Sequence, residues 1–335
     1  WLDENQELLA ISKQKELRKQ FSIQLNRAIR VSKLHGLRKS ILLHIFLNLV
    51  DESTFDTNLV VYYDHLKRLL RKKYSRGGSG VNIITVITAP FPDGQTFSCK
   101  HNCYYCPNEP AHEENGFQAQ PRSYLFKEPA VLRANQHDFK ALNQMWSRMD
   151  TYYSNGHVVD KLEIIVEGGT YTEYPINYLE RYHRDLFYAA NTYKDFRKLY
   201  PDYGNTLFDF DAEMLTKLRE PLSVEEEIII NKNASCHIIG ICIETRPDAM
   251  DDDWILRFRK WGVTRVQLGM QHVDNNILKK VNRGHTIEQA LWAIQKLKDN
   301  CFKLDIHIMP DLPNSTPEID IKMFDYVYST VCPDQ

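Results

Sequence analysis

The chain has 335 residues, 43% of them hydrophobic and 26% charged, a balance typical of soluble globular proteins that excludes wholesale disorder. Its greasiest stretch, Ile41 to Val50, is short and broken by His44 and Asn48, so a membrane span is not expected. Net charge is −2, yet residues 1–80 carry 15 Lys/Arg against 8 Asp/Glu while residues 81–335 carry 27 against 36, an asymmetry that reads either as a polyanion-binding N-terminal block or as a solvated helical face.

The sequence opens at Trp1 rather than Met and carries no signal-peptide pattern, as expected of a fragment. Up to about residue 74 the texture is helical. Leu59, Tyr63, Leu66 and Leu70 recur at three- and four-residue spacing, with Lys67, Arg68, Arg71 and Lys72 between and after them. Ile23, Arg27, Ile29, Arg30 and Val31 predict a similar basic, amphipathic helix upstream. Arg76-Gly77-Gly78-Ser79-Gly80 then breaks the pattern, which places a boundary there and gives two regions, 1–76 and 77–335. In the second region, short β-branched runs alternate with long helical stretches. The runs are Val81 to Thr88, Leu162 to Val166, Ile238 to Ile243, Val263 to Leu268 and Leu304 to Met309. Such alternation predicts an α/β fold of at least five parallel strands joined by right-handed helical crossovers, wound into an open or closed barrel. Between the second and third strands, residues 171–236 have room for two helices, one opened by a Ser223…Glu226 capping box.

Chemistry is expected at the C-terminal ends of such strands. Cys99, Cys103 and Cys106 form C-x3-C-x2-C after the first strand. Three close thiolates favour an iron–sulfur centre or zinc, and without an obvious fourth ligand the spacing favours a cubane cluster with one open iron. His101 and His112 lie nearby. An odd total of seven Cys points to a reducing, cytoplasmic compartment rather than a disulfide scaffold, and Cys236, Cys242, Cys301 and Cys332 read mostly as core filler. Gly168-Gly169 closes the second strand, either to let backbone approach a ligand or simply to turn. Glu244 and Arg246 follow the third strand and share a face if extended, as ligand-holding groups or as a structural ion pair. Gln267 and His307 end later strands; the first reads as cavity lining, the second more readily as a satisfied core histidine.

With these residues in place, the chain resembles the radical S-adenosylmethionine superfamily, and within it the family of the Elongator catalytic subunit, a tRNA wobble-uridine modifying enzyme. The likeness rests on the Cys trio and on several stretches taken in order. They are Ser123-Tyr124 with Glu128-Pro129 and Arg133, Asp160-Lys161-Leu162-Glu163, Gly168-Gly169-Thr170, Glu244-Thr245-Arg246-Pro247-Asp248, Gln267-Leu268-Gly269-Met270-Gln271, Asn282-Arg283-Gly284-His285-Thr286 and Met309-Pro310-Asp311-Leu312-Pro313. It spans roughly residues 75–335.

The resemblance implies a partial (β/α)6-type barrel with an N-terminal helical extension. Cys99, Cys103 and Cys106 would hold a 4Fe-4S cluster. Tyr105, Gly168, Gly169, Thr170, Glu244, Arg246 and Gln267 would line the S-adenosylmethionine site. Lys161 would contact acetyl-coenzyme A, although a solvated strand-end lysine is the ordinary reading. Arg283 and His285 look placed for phosphate, or else belong to an ordinary turn. Lys161, Glu244 and Arg246 are thus the candidate catalytic residues, and Arg71, Lys72, Lys73 and Arg76 the candidate contacts to the tRNA anticodon stem-loop. The implied chemistry is a 5′-deoxyadenosyl radical drawing hydrogen from the acetyl methyl group, with carboxymethyluridine as the eventual product. Elongator-like subunits or a second copy would be the protein partners.

Departures accompany the likeness. The first two Cys are closer together than is usual in the family. Cys106-Pro107-Asn108-Glu109-Pro110 replaces a Cys-Pro-Gly-Gly turn, and Glu167 stands where an apolar residue usually precedes the glycines. The sequence also stops before the family's lysine-acetyltransferase-like domain. A radical enzyme acting on another substrate, or a tRNA-binding scaffold with a structural or lost cluster, are the rival readings.

Overall fold

The computed structural model describes residues 13–33, 39–51, 62–72, 78–199 and 217–334. The chain divides into two compact units, one comprising 1–82 with 149–159 and the other 83–148 with 160–335. Residues 149–159 thus join the first unit, which the linker at 76–80 alone would not foretell. Among the described residues no helix is long and apolar enough to cross a membrane.

In the first unit, helices α1 (Gln14–Val31), α2 (Lys39–Asp51) and α3 (Tyr63–Leu70) contribute to one small core. Leu43, Phe46 and Leu70 are buried in it, with Phe21, Leu25, Tyr63 and Leu66 packed around them. The stripe on α3 therefore faces inward as its periodicity predicts; Leu59 lies outside the described residues. On α1 the expected stripe is corrected: Ile23 and Val31 are exposed, and the inward side chains are Leu17, Phe21 and Leu25. Basic residues at 27 and 30 alternate with Ile29 and Val31 at a spacing that mimics amphipathicity, whereas the face that packs inward carries Leu17, Phe21 and Leu25. After α3, the Arg71 Nε–H donates to the Gly156 carbonyl at 2.9 Å, and the Lys72 amide to the Asn155 carbonyl at 3.2 Å.

The second unit is built on a five-stranded sheet in the order β1-β2-β3-β4-β5. The strands are β1 (Asn82–Ile87), β2 (Lys161–Glu167), β3 (His237–Thr245), β4 (Arg265–Gln271) and β5 (Lys303–Ile308). All five runs expected from the sequence are present. From β2 to β5 each neighbour pairs in parallel, with Ile165 opposite Cys242, Glu244 opposite Gln267 and Gln267 opposite Asp305. Consecutive parallel order requires a crossover after every strand. These crossovers carry α4 (Pro129–Asn135) and α5 (Ala141–Ser154), then α6 (Ile176–Leu199) and α7 (Val224–Asn231), then α8 (Asp252–Lys260), then α9 (Asn275–Lys280) and α10 (Ile287–Asp299), with α11 (Pro317–Tyr326) after β5. The α7 capping box forms: Ser223 Oγ accepts the Glu226 amide and Glu226 accepts the Ser223 amide.

On β2, Leu162, Ile164 and Val166 are fully buried while Glu163, Ile165 and Glu167 take the other, partly accessible face. That division holds the core on one face of β2 and leaves the other, which carries Glu163 and Glu167, partly accessible. A second polar element is sealed inside the helical layer. His183 on α6 donates from Nδ1 to the Trp261 carbonyl (3.0 Å) and accepts the Tyr171 hydroxyl at Nε2 (2.6 Å), which fixes it as neutral imidazole.

Burial lowers the His183 pKa to about 4. The unfolded chain therefore binds a proton near pH 6.5 that the folded chain refuses until about pH 4, so stability falls as pH drops through that window, by about 3 kcal/mol for this group. Histidine NMR should show the His183 ring untitrated above pH 5; a ring titrating near 6.5 would contradict this packing.

Candidate functional site

Loops at the C-terminal ends of the strands enclose a cleft of about 570 Å³ that opens to solvent. The loop after β1 crosses this end of the sheet and carries Cys99, Cys103 and Cys106, all three of which border the cleft. Its anchorage is mostly backbone. The Ser98 carbonyl accepts the Thr170 amide at 2.9 Å, and Ser98 Oγ accepts the Arg122 amide at 2.8 Å. A tight turn brings the Cys106 amide onto the Cys103 carbonyl (3.1 Å). Glu109 then fastens the returning chain: Oε2 accepts the Phe126 amide at 2.8 Å, and Oε1 accepts Asn115 Nδ2 at 3.2 Å. The Pro107-Asn108-Glu109-Pro110 turn thus has its own closure, in which a carboxylate holds the loop.

Gly168 and Gly169 are required here by space. A Cβ on Gly169 would lie 1.9 Å from the Ser98 carbonyl oxygen, and one on Gly168 1.8 Å from Thr88 Oγ1. The Gly169 amide already donates to the Tyr174 hydroxyl (2.9 Å) and the Thr170 amide to Ser98. The close approach that the glycine pair permits is therefore made by the cysteine loop, which lies directly on the end of β2, while both glycines still line the cleft.

The sulfurs differ in setting. Thr170 Oγ1 donates to Cys99 Sγ at 3.0 Å; burial pushes the Cys99 thiol up, and this hydroxyl opposes it. Cys103 is buried and receives two guanidiniums, Arg246 Nη1 at 3.6 Å and Arg283 Nη1 at 3.7 Å. Cys106 is partly exposed. Arg246 is itself held by both oxygens of Asp248 at 3.0 Å and donates to the Arg283 carbonyl at 2.5 Å. Burial works to raise the Asp248 carboxyl, but the Arg246 fork outweighs it and holds the group below its usual range. His101 reaches Glu173 at 3.1 Å on the rim.

Among the described residues no three His, Cys, Asp or Glu side chains close into the shell of a single metal ion. The three cysteines share one cleft, form an all-sulfur set, and have positive charge directed at one of their sulfurs. This fits a polynuclear iron–sulfur centre, which is bound by thiolates and stabilised by hydrogen bonds to sulfur. Beside it, Tyr105 packs on Ile277, Val281 and Leu312, and its buried hydroxyl lacks a well-formed hydrogen bond next to Cys103 and Arg283. A ring set apolar on one side and orphaned at its tip suits a planar heterocyclic ligand.

Glu244 and Thr170 also line the cleft. Both Glu244 oxygens are engaged, Oε1 with His307 Nδ1 (3.3 Å) and Oε2 with the Tyr124 hydroxyl (3.4 Å). That hydrogen bond raises the His307 pKa, so His307 is a partner of the cleft carboxylate rather than a core histidine. On the next strand, burial and then the nearby Glu244 and Glu128 carboxylates push Glu167 up to about 7. Two carboxyl groups thus stand at adjacent strand ends, Glu244 engaged by His307 and Tyr124 and Glu167 raised by its burial and its neighbours.

Two expected residues lie elsewhere. β4 continues through Gly269 to Gln271, so Gln267 is mid-strand and Gln271, with φ of +70°, borders the cleft in its place. Lys161 is exposed at the opening of β2, roughly 20 Å along the strand from the cleft at about 3.3 Å per residue. Of the basic quartet, Lys72 is exposed, Arg71 donates to Gly156, and Lys73 and Arg76 lie outside the described residues. Arg283 and His285 are buried, Arg283 meeting Cys103 Sγ and His285 meeting Arg283, which corrects the phosphate reading.

Gly169→Ala is expected to force the cysteine loop off β2. Overpacking of this kind costs about 1–3 kcal/mol, and the variant should melt lower and bind less iron on reconstitution than the wild type. Equal iron content would show that the contact does not position the cysteines.

Residues 96–323 match the family model described as the radical SAM superfamily. A tRNA uridine(34) acetyltransferase of Methanocaldococcus infernus is 34% identical over 262 residues, 78% of this chain and 42% of that protein. Elongator complex protein 3 of Schizosaccharomyces pombe is 29% identical over 296 residues, 88% of this chain and 48% of the relative. The solved structure of M. infernus Elp3 with an N-terminal deletion aligns with a TM-score of 0.53 at 27% identity, covering 75% of this chain and 43% of that one. The chain spans less than half the length of these relatives.

Proposed function

Since this chain belongs to the radical SAM superfamily, we propose that it carries the radical step of acetyl-coenzyme A-dependent carboxymethyl formation on the wobble uridine of tRNA. The relatives named for uridine-34 modification support the substrate, and the sulfur-lined cleft supports the chemistry. The carrying observation is that Cys99, Cys103 and Cys106 converge on one cleft with Thr170, Glu244 and Arg246 around it.

Cys99, Cys103 and Cys106 would hold the cluster. When bound, cluster and S-adenosylmethionine supply a 5′-deoxyadenosyl radical able to take hydrogen from an acetyl methyl group. The chain's own share is placement. Glu244, fixed by His307 and Tyr124, presents a carboxylate to the ligand's ammonium or ribose hydroxyls. Tyr105 offers a face for the adenine. The glycine pair and the aliphatic side chains behind Tyr105 bring backbone and side chains close enough to exclude water.

The N-terminal basic residues would track tRNA phosphates, and the base would enter unstacked from the cleft mouth. Lys161, distant from the cleft, would act on acetyl-coenzyme A only where that ligand reaches the far end of β2. Elongator-like subunits are the proposed protein partners.

Anaerobically reconstituted protein with reductant and S-adenosylmethionine should form 5′-deoxyadenosine. Replacing any of the three cysteines by Ala should reduce this at least a hundredfold; turnover in the triple variant would overturn the assignment. Lys72, Lys73 and Arg76 changed together to Glu should weaken tRNA binding at least tenfold and flatten its salt dependence, measured by filter binding. Arg71 is left intact because its side chain is tied to Gly156. Unchanged affinity would remove this surface from the tRNA path.

A further inference from the structure

Arg283 is a buried guanidinium, 7% exposed. Its Nε–H donates to His285 Nε2 at 3.1 Å, Nη2 to the Gly269 carbonyl at 2.6 Å, and Nη1 to Cys103 Sγ at 3.7 Å. Every acceptor other than the sulfur is neutral. Among the described residues no carboxylate pairs with this cation, whereas the adjacent Arg246 has Asp248. A buried cation without a counter-charge is costly, and the group that would offset it must be anionic. The Cys103 sulfur is the one contact that becomes an anion, as thiolate and as cluster ligand.

The surroundings are shaped for this contact. His285 donates from Nδ1 to the Thr286 carbonyl at 3.2 Å, leaving Nε2 as acceptor to orient the guanidinium. A Cβ at Gly269 would sit 2.6 Å from Arg283 Nη2. Gly284, at φ +87°, lets Arg246 reach the Arg283 carbonyl; a Cβ there would stand 3.3 Å from Arg246 Nη2. Two glycines, a histidine and two arginines from the end of β3, β4 and the loop after α9 are thereby devoted to one sulfur.

We propose that Arg283 is a positioning residue of the cysteine trio: oriented by His285, it holds Cys103 as a cluster ligand and raises the reduction potential of the centre. The proposal rests on the cluster reading above. Reduction adds negative charge, and a fixed cation donating N–H to a ligand sulfur stabilises the reduced state.

The test is a redox titration of the anaerobically reconstituted chain, followed by electron paramagnetic resonance, with iron and sulfide counted on the same samples. Arg283→Gln should bring the midpoint to a more negative value by at least 59 mV, a tenfold change in the reduced-to-oxidised ratio for one electron. Arg283→Lys keeps the charge but not the fork, and should show a smaller shift in the same direction. An unchanged midpoint in a fully loaded Arg283→Gln protein overturns the proposal, as does a Lys variant that shifts as far as Gln. If the Gln variant fails to load, the Lys variant decides, since a merely structural loss would leave the midpoint of its loaded fraction at the wild-type value. Wild-type protein that takes up no iron would instead defeat the cluster reading, and this proposal with it.

Discussion

Backbone approach governs this site. The cysteine loop is long, and nothing in its own sequence compels three sulfurs to face one point. What places it is the contact of the Ser98 carbonyl with the Thr170 amide, made across a gap only glycine at 169 can leave open. With that contact made, Cys99 meets the Thr170 hydroxyl and the turn at 103–106 comes to lie over the ends of β3 and β4, where Arg246 and Arg283 meet Cys103. Loop, strand end and guanidiniums form one linked arrangement in which losing the first contact would loosen the others.

Charge is distributed in the cleft with matching economy. Negative charge from sulfur meets two arginines on one side. On the other, Glu244 is held by His307 and Tyr124, beside Glu167, whose carboxyl is pushed up by burial and neighbouring carboxylates. A dipolar ligand carrying a cationic end finds a carboxylate facing it and guanidiniums behind the cluster position, so its orientation follows from the electrostatics of the walls.

Much of this was legible in the sequence, for identifiable reasons. Buried parallel strands are continuous β-branched runs, so all five could be read, and Ser223 with Glu226 announces a helix start by local chemistry alone. The cysteine spacing likewise needs no tertiary knowledge. What escaped depends on distant contacts. Arg283 meets Cys103 across 180 positions, and an Asn-Arg-Gly-His turn looks the same whether its arginine faces phosphate or sulfur. The sequence pattern ends β4 before Gly269 because glycine usually ends strands; here Gly269 admits Arg283, and the strand runs on to Gln271. On α1 the apolar positions Ile23 and Val31 suggest an amphipathic helix, but the inward face is made by Leu17, Phe21 and Leu25.

The most direct test of the account is whether the centre has an open corner. Electron paramagnetic resonance of the reduced, reconstituted chain should show a cubane signal that changes on adding S-adenosylmethionine and does not change on adding methionine-free adenosine. A colourless protein, a zinc-only content, or a cluster signal indifferent to S-adenosylmethionine would contradict it.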